Sequence, residues 1–261
     1  KTAYEIVSRD WSSDVCSSDL VTYGLSPQAE VRGIDVQIGT QGARFSVTVT
    51  DRMRGERRTM TDMTLPMYGM HNVQNALAAV AVGHEMGLDE MVMRKALSTF
   101  AGVKRRFTKT GEVDGVAVID DYGHHPVEIT AVLKAARTAC PEGRLVAVVQ
   151  PHRYTRLHSL FEEFCACFND ADTVIVADVY AAGEQPIAGI HKDALVSALR
   201  TRGHRHVVPL ESPDHLPALV AEIAHLGDLV VCLGAGSITN WAQILPLQLA
   251  EAASGKREAR A

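Results

Sequence analysis

The chain has 261 residues, of which 46% are hydrophobic and 22% charged, and its formal net charge is −5. This composition is typical of a globular protein with room for one large domain or two small ones. The negative balance argues against nucleic acid or an anionic membrane surface as a partner. The sequence shows no signal-peptide pattern, no apolar run long enough for a membrane span and no Cys-x-x-Cys pair. We therefore expect a cytoplasmic protein.

Residues 1–20 stand apart from the rest of the chain. They repeat Ser-Ser-Asp at 12–14 and 17–19 and show neither the period of a helix nor that of a strand. The segment resembles the translation of a sequencing adapter, and a genuine disordered N-terminus is the alternative. We predict that residues 1–20 are non-native or disordered and that residues 251–261 form a disordered tail.

The region from 21 to 103 combines antiparallel strands with two helices. Alternating apolar residues predict a hairpin between 31 and 60, with its turn at 39–42, and a third strand near 58–65. Helices follow at about 71–86 and 89–100, joined at Gly87, which suits a helix C-terminus. Because so few elements make a marginal independent fold, we interpret this region as the end of a larger domain.

From residue 104 onward, apolar strands alternate with amphipathic helices. This alternation predicts an α/β fold with a doubly wound, mostly parallel, Rossmann-like sheet over residues 104–250. The predicted strands lie near 116–120, 144–149, 173–178, 206–210 and 229–233. The predicted helices lie near 126–139, 155–169, 191–202, 213–226 and 237–249.

Polar side chains cluster where two consecutive strands of this sheet end. The first strand runs into Asp-Asp-Tyr-Gly-His-His-Pro at 120–126, and the next into Gln-Pro-His-Arg-Tyr-Thr-Arg at 150–156. Ligands of open α/β sheets bind outside the carboxyl ends of the strands. We expect the two strands to be neighbours, so the sequence predicts one crevice lined by histidines, arginines and aspartates.

Two other motifs carry groups that suit a nucleotide. Asn72 and Asn75 lie three residues apart at the start of a helix, and a carboxamide can match the edge of an adenine. The alternative is a helix-capping asparagine beside a surface one. Arg106 lies in a basic stretch where the second region begins, and a guanidinium suits phosphate. The alternative there is a solvated linker.

Together these motifs resemble the Mur ligase family. The chain carries Gly-x-His-Asn-x-x-Asn, Arg-Arg-Phe, Asp-Asp-Tyr-Gly-His-His-Pro and Gln-Pro-His-Arg-Tyr-Thr-Arg in that order, and the resemblance covers about residues 21–249. It implies an ATP- and Mg²⁺-dependent ligase that joins L-alanine to UDP-N-acetylmuramate for peptidoglycan synthesis. It also implies that residues 21–103 are the C-terminal part of a central ATP-binding domain and residues 104–250 the C-terminal ligase domain.

The resemblance implies a role for each residue that matches a family motif. The implied nucleotide-binding residues are His71, Asn72 and Asn75 at the adenine, Arg106 at the phosphates and Asp121 at the ribose. The implied catalytic residues are Arg106 and His124. The implied residues around the incoming amino acid are Tyr122, His152, Arg153 and Arg156.

The sequence also departs from the family, and other interpretations stay open. Complete members carry an upstream Gly-x-His-Gly-Lys-Thr phosphate loop that is not found here, so we expect a fragment that is inactive alone, with the Mg²⁺ ligands upstream. The alternatives are a sister ligase that recycles a murein tripeptide and a non-catalytic nucleotide-binding remnant. The Gly-Ala-Gly-Ser stretch at 234–237 favours a plain strand-to-helix turn over a dinucleotide site. His124, His125 and His152 lack the spacing of a metal site.

Overall fold

The computed structural model describes residues 4–7, 20–39, 42–50, 55–100 and 102–258. The chain divides into two compact units, residues 1–102 and 103–261. Each unit contains one β-sheet within these residues. Of the helices described, none has the length and apolar character needed to cross a membrane.

The first unit is built on a five-stranded sheet in the order β1-β2-β3-β4-β5. Its strands are β1 (Tyr4–Val7), β2 (Leu20–Gly24), β3 (Val31–Gly39), β4 (Gly42–Thr50) and β5 (Arg57–Leu65). The antiparallel meander of β3, β4 and β5 confirms the predicted hairpin and third strand. Strand β1 pairs antiparallel with β2 and was not predicted. The rest of the segment predicted to be non-native or disordered, residues 1–3 and 8–19, lies outside the described residues.

Two helices accompany this sheet, α1 (Met70–Glu85) and α2 (Glu90–Ser98). Helix α1 ends at Glu85, and Gly87, which was predicted to join the two helices, follows it with φ 73°, the left-handed conformation that glycine adopts without strain. The side chain of Asp89 starts α2 by accepting from the backbone N–H of Met91 at 2.7 Å. Buried side chains of the strands and of α1 form one apolar core, which includes Phe45 and Leu77.

The second unit is the predicted doubly wound sheet, with strand order β10-β9-β8-β11-β7-β6. Its strands are β6 (Thr108–Val113), β7 (Val116–Asp121), β8 (Leu145–Val149), β9 (Thr173–Val176), β10 (Val207–Pro209) and β11 (Leu229–Leu233). Its helices are α3 (Pro126–Ala139), α4 (Tyr154–Ser159), α5 (Phe161–Phe164), α6 (Lys192–Thr201), α7 (Leu216–Ile223) and α8 (Ile238–Glu258). All pairs are parallel except β6 with β7. The α/β fold and its mostly parallel sheet are therefore confirmed.

The sheet is covered by helices on both faces, as the wholly buried strands β8, β9 and β11 require. One face packs against an apolar layer that includes Leu133 of α3, Phe164 of α5 and Leu195 of α6. The other face packs against a layer that includes Val220 of α7 and Leu245 of α8. The two layers leave the carboxyl edge of the sheet for the polar turns.

Several predicted boundaries and one predicted neighbour were wrong. Strand β11 lies between β7 and β8, so the two strands with polar ends are not adjacent. The helix predicted at 155–169 is divided into α4 and α5, and the apolar stripe continues through the break. The helix predicted at 213–226 begins with a 3₁₀ turn, Pro213–His215, and ends at Ile223. Helix α8 runs to Glu258, through much of the predicted disordered tail, because good helix formers (Glu, Ala, Lys and Arg) continue there.

Candidate active site

The site lies at the carboxyl edge of the second sheet, over the end of β11. Side chains from the turns after β7 and β8 reach across β11, since the ring centroids of His124 and His152 are 5.7 Å apart. The residue that follows β11 is Gly234, at φ 154°, and a Cβ there would lie only 2.8 Å from the carbonyl oxygen of Gln150. The missing side chain at Gly234 thus lets the two flanking turns meet.

Asp121 ends β7 and holds two backbone segments together. It is only 2% exposed, and its Oδ1 and Oδ2 accept from the N–H groups of Gly123 and Phe107, each at 2.7 Å. Burial raises the pKa of Asp121 to about 6, although both hydrogen bonds oppose the rise. Both oxygens are therefore already engaged by the fold, and ribose binding by Asp121 stays a prediction.

His124 is held in one tautomer by the turn that it belongs to. Its Nδ1 lies 2.8 Å from the carbonyl oxygen of Tyr122, which can only accept, so Nδ1 carries the hydrogen. The lone pair of the neutral ring is therefore on Nε2. Because an imidazole with an available lone pair can accept a proton, His124 can act as a general base.

Glu128, which no sequence motif had indicated, holds the backbone of this turn. One carboxylate oxygen accepts from the N–H groups of His124 and His125, at 3.1 and 3.2 Å. Burial by itself would raise the pKa of Glu128, but those N–H groups and the nearby side chains of His124 and Arg106 hold it below the usual value. A glutamate three residues after the residue that precedes a helix is the pattern of a capping box, so the signal was present in the sequence.

His152 has the opposite tautomer. Arg156, which can only donate, approaches the Nδ1 atom of His152 with its Nη1 at 3.3 Å and also donates to the His152 carbonyl oxygen at 3.0 Å. The hydrogen of the neutral His152 ring is therefore on Nε2. Burial and the charge of Arg156 lower the pKa of His152, with smaller contributions from His124 and Arg153. Neutral His152 is thus a hydrogen-bond donor beside the base His124.

Four aromatic or imidazole rings form a row across the strand ends. Ring centroids are 5.1 Å apart from Tyr122 to His124, 5.7 Å from His124 to His152 and 5.3 Å from His152 to Tyr180. Three members were predicted as site residues. Tyr180, in the loop after β9, was missed because it belongs to none of the recognised motifs.

The segment that leads into β6 brings two arginines to this row. The Cζ atoms of Arg105 and Arg106 lie 4.7 and 5.5 Å from the ring centroid of Tyr122. Arg105 also donates to the carbonyl oxygen of Gly234 at 2.9 Å and was not predicted as a site residue. The Arg106 side chain is 45% exposed and lies 3.9 Å from Glu128, so its guanidinium can still meet an anion.

Arg153 and Arg156 start α4 beside His152. Arg153 precedes the helix with φ 73°, an uncommon conformation for a side chain other than glycine, and its backbone N–H donates to the carbonyl oxygen of Tyr180 at 2.8 Å. Its side chain is exposed, whereas that of Arg156 is partly buried. Forked cations of this kind bind carboxylates well, and both residues are brought to the same turn as predicted.

The predicted adenine-binding residues belong to the first unit. Gly69 precedes helix α1, so the alternative that Asn72 caps this helix is wrong. Asn72 is 7% exposed and its amide donates to the carbonyl oxygen of Tyr68 at 2.7 Å, whereas Asn75 is exposed. His71 is partly buried on the same turn. Adenine binding by these three residues stays a prediction.

The turn between β11 and α8 is filled by the protein itself. The side-chain oxygen of Gln150 accepts from the N–H of Ile238 at 3.1 Å, and its amide donates to Ser237 at 3.1 Å. A Cβ on Gly236 would lie 2.5 Å from both Gln150 Oε1 and Tyr180 Cγ. These contacts account for the glycines by close packing, which agrees with a plain strand-to-helix turn.

Comparisons with protein families, curated sequences and solved structures all relate this chain to the same family of ligases. A family model described as Mur ligase, glutamate ligase domain, matches residues 105–236. The UDP-N-acetylmuramate–L-alanine ligase of Rhodospirillum rubrum is 62% identical over 238 residues, which is 91% of this chain and 49% of the relative. That of Gluconacetobacter diazotrophicus is 64% identical over 231 residues, which is 88% of this chain and 48% of the relative.

The solved UDP-N-acetylmuramate-alanine ligase of Thermotoga maritima has the same fold, with a TM-score of 0.68 at 24% identity over 90% of this chain and 48% of its own. The chain spans about half the length of the curated relatives it matches. The family match takes in half of the chain, including the turns that carry His124 and His152. The chain therefore belongs to the Mur ligase family.

Proposed function

We propose that this protein contributes the amino-acid-binding part of an ATP-dependent ligase that joins L-alanine to UDP-N-acetylmuramate in peptidoglycan synthesis. The observation that carries the proposal is the pairing of two histidines of opposite tautomer, whose ring centroids are 5.7 Å apart, with Arg153 and Arg156 alongside. An α-amino acid needs a base for its ammonium group and a cation for its carboxylate. The two relatives described above, which carry this activity in their names, are 62 and 64% identical to the chain.

In this proposal, Nε2 of His124 takes a proton from the ammonium group of L-alanine, which leaves an amine able to attack. Arg153 or Arg156 binds the α-carboxylate, and the Nε2–H of His152 donates to the bound amino acid. Tyr122 forms the end of the row of rings next to His124. Holding the amine in place and removing its proton are the two tasks that this chain's residues can perform.

ATP would supply the phosphoryl group that activates the muramate carboxylate. Arg106 fits a phosphate, because its guanidinium is half exposed and its ion-pair contact with Glu128 is long, at 3.9 Å. Asn75 is exposed and can meet an adenine edge, with Asn72 and His71 on the same turn. Asp121 fits the ribose less well, since its oxygens accept from backbone N–H groups.

Mg²⁺ enters the proposal together with ATP. Among the described residues, no group of three or more His, Cys, Asp or Glu side chains could hold a metal ion. Because Mg²⁺ is often bound through phosphates with only one or two carboxylates, the proposal assigns it no ligand within this chain. A cytoplasmic location is part of the same proposal.

A hybrid enzyme tests this function. The matched 238 residues of the Rhodospirillum rubrum relative are replaced by those of this chain, and ADP release is followed with ATP and UDP-N-acetylmuramate. We expect release that depends on L-alanine. A folded hybrid that responds to a murein tripeptide but not to L-alanine would support the recycling ligase instead. A folded hybrid that binds ATP and turns over with neither would support the non-catalytic remnant.

A further inference from the structure

The loop after β9 holds a residue in the site that the proposed chemistry does not use. The ring of Tyr180 stacks on the imidazole of His152, with centroids 5.3 Å apart and planes inclined by 17°. The backbones on either side are also joined, because the N–H of Tyr180 donates to the carbonyl oxygen of Pro151 and its own carbonyl oxygen accepts from Arg153, both at 2.8 Å. This bridge continues the parallel pairing of β8 and β9 beyond the ends of both strands.

The Tyr180 ring is also confined by the turn after β11. A Cβ on Gly236 would lie 2.5 Å from Tyr180 Cγ, so a side chain at 236 would displace the ring. Farther along the loop, the carboxylate of Glu184 accepts from the N–H and the hydroxyl of Thr155 in α4, at 3.0 and 2.6 Å. The loop is thus fastened to the turn and helix that carry His152, Arg153 and Arg156.

We propose that Tyr180 is a positioning residue for His152 and that the loop around it forms a third wall of the amino-acid site. Its ring covers one face of the imidazole, while the Nδ1 atom of that imidazole lies beside Arg156 and the ring of His124 is 5.7 Å away. The backbone bridge to Arg153 fixes that residue in its left-handed conformation. The identity of the amino acid rests on the proposed function, whereas the effect of Tyr180 on the His152 ring does not.

The cover that Tyr180 provides has a measurable consequence. Burial is the largest cause that lowers the pKa of His152, ahead of the charges of Arg156, His124 and Arg153, and Glu184 acts in the opposite direction. Removing the stacked ring exposes the imidazole to water and leaves those charged groups in place. The pKa of His152 should then move up toward the ordinary histidine value.

The test compares Tyr180→Ala with Tyr180→Phe in the full chain of 261 residues, labelled for NMR of the histidine rings. Phenylalanine keeps the stacked face, so the His152 titration should match that of the unchanged protein. Alanine should raise the pKa of His152 and change its ring shifts. His204, bonded to Ala171 at the other edge of the sheet, reports on folding and should titrate alike in all three proteins. An unchanged His152 titration in Tyr180→Ala, or an equal change in Tyr180→Phe, would overturn the proposal.

A second variant acts on the same ring from the opposite side. Gly236→Ala places a methyl group against Tyr180 while residues 152 and 180 stay unchanged, and we expect it to alter the His152 titration in the same direction. A folded Gly236→Ala protein with an unaltered His152 would also contradict the proposal.

Titration with L-alanine then separates the two proposals. In the unchanged chain, L-alanine should shift the His152 ring signals, and Tyr180→Ala should weaken the apparent affinity about 2- to 10-fold, the range that a lost aromatic stack gives. If L-alanine causes no shift while Tyr180→Ala still raises the pKa of His152, the positioning role stands and the proposed substrate is wrong.

Discussion

Helices α3 and α8 begin at the same edge of one sheet, yet their N-termini are satisfied in different ways. The start of α3 is satisfied within its own turn, because the His125 ring and the Glu128 carboxylate accept from nearby backbone N–H groups. The start of α8 depends on a neighbouring strand, since Gln150 at the end of β8 accepts from the N–H of Ile238. Helix N-termini leave unpaired N–H groups, and both solutions meet that need.

The difference suggests a reason for assigning the proposed chemistry to one turn. The β7–α3 turn uses backbone atoms and Glu128 to hold itself, and the Nε2 edge of His124 is left to accept a proton. The β11–α8 turn uses glycines that admit Gln150 and Tyr180, so neighbouring side chains fill it. A strand end can become a candidate site when the hydrogen-bonding groups of its turn find partners without using the reactive side-chain atoms.

The largest effect is expected from a substitution that removes the proposed base from the β7–α3 turn and preserves the structure of that turn. In the hybrid enzyme, His124→Asn keeps a donor for the carbonyl oxygen of Tyr122 and removes the basic nitrogen. We expect L-alanine-dependent ADP release to fall about 100- to 10,000-fold, the usual contribution of a general base. Steady-state rates at saturating ATP measure it.

The adjacent residue provides the matched control. His125→Asn makes the same substitution one position on, where asparagine is a good residue to cap α3. We expect activity within a few-fold of the unchanged hybrid. Similar losses in both variants would show that the turn serves the fold and not the reaction.

Local patterns predicted the elements of this fold well, because buried parallel strands read as short apolar runs and helices as apolar stripes. Helix α3 was predicted with its observed bounds, since Pro126 marks its start. Strand β6 was missed because its residues, Thr-Lys-Thr-Gly-Glu-Val, show neither pattern. The place of β11 between β7 and β8 was also missed, since local periodicity carries no information on spatial order.

The site was predictable only where a motif marks it. The histidines and arginines after β7 and β8 were predicted as site residues from the polar runs that follow apolar strands. Tyr180 contacts His152, and Arg105, although it begins the Arg-Arg-Phe motif, bonds to Gly234. Such pairs join residues far apart in the sequence and leave no local pattern. The tautomers of His124 and His152 likewise depend on partners that only the folded chain reveals.

The next prediction breaks the other turn. Gln150→Leu removes the acceptor for the buried N–H of Ile238 and the donor to Ser237. Leaving such a group unpaired should lower the free energy of unfolding by about 1 to 3 kcal/mol. The loss of unfolding free energy is measured by urea unfolding, with amide hydrogen exchange in β11 as the probe. The control Gln243→Leu makes the same change at an exposed position of α8, and an equal loss there would contradict the capping role.

A smaller effect concerns how Asp121 makes the stability of the protein depend on pH. Its folded pKa of about 6 lies above the ordinary value of 3.8, so the folded state binds the proton more tightly and this group's contribution to stability falls as pH rises toward 6 and beyond. The substitution Asp121→Asn removes the titratable carboxyl group and with it this pH dependence of stability. Between pH 5 and 7.5, the stability of the unchanged chain should fall by about 1.5 kcal/mol relative to the variant. Parallel curves for the two proteins would contradict the raised pKa.

The smallest expected effect concerns the middle of α8, where a residue of a neighbouring strand again supplies a hydrogen bond that the helix lacks. Pro246 interrupts this helix and has no N–H for the carbonyl oxygen of Ala242, four residues earlier. The hydroxyl of Thr110 in β6 donates to that oxygen at 2.7 Å, and Gly111 lets the strand approach, since a Cβ there would lie 2.7 Å from Pro246 Cβ.

Thr110→Val keeps the shape and removes the donor, so we expect a loss of about 1 kcal/mol in the free energy of unfolding. Thr138→Val is the control, because its hydroxyl bonds to the Lys134 carbonyl oxygen within an exposed part of α3. The decisive measurement is a double-mutant cycle with Pro246→Ala, which restores a backbone N–H for Ala242. In that background Thr110→Val should cost clearly less, because the helix then satisfies the carbonyl oxygen itself. An unchanged cost would mean that Thr110 stabilises the protein through its contacts in β6 and not by completing α8.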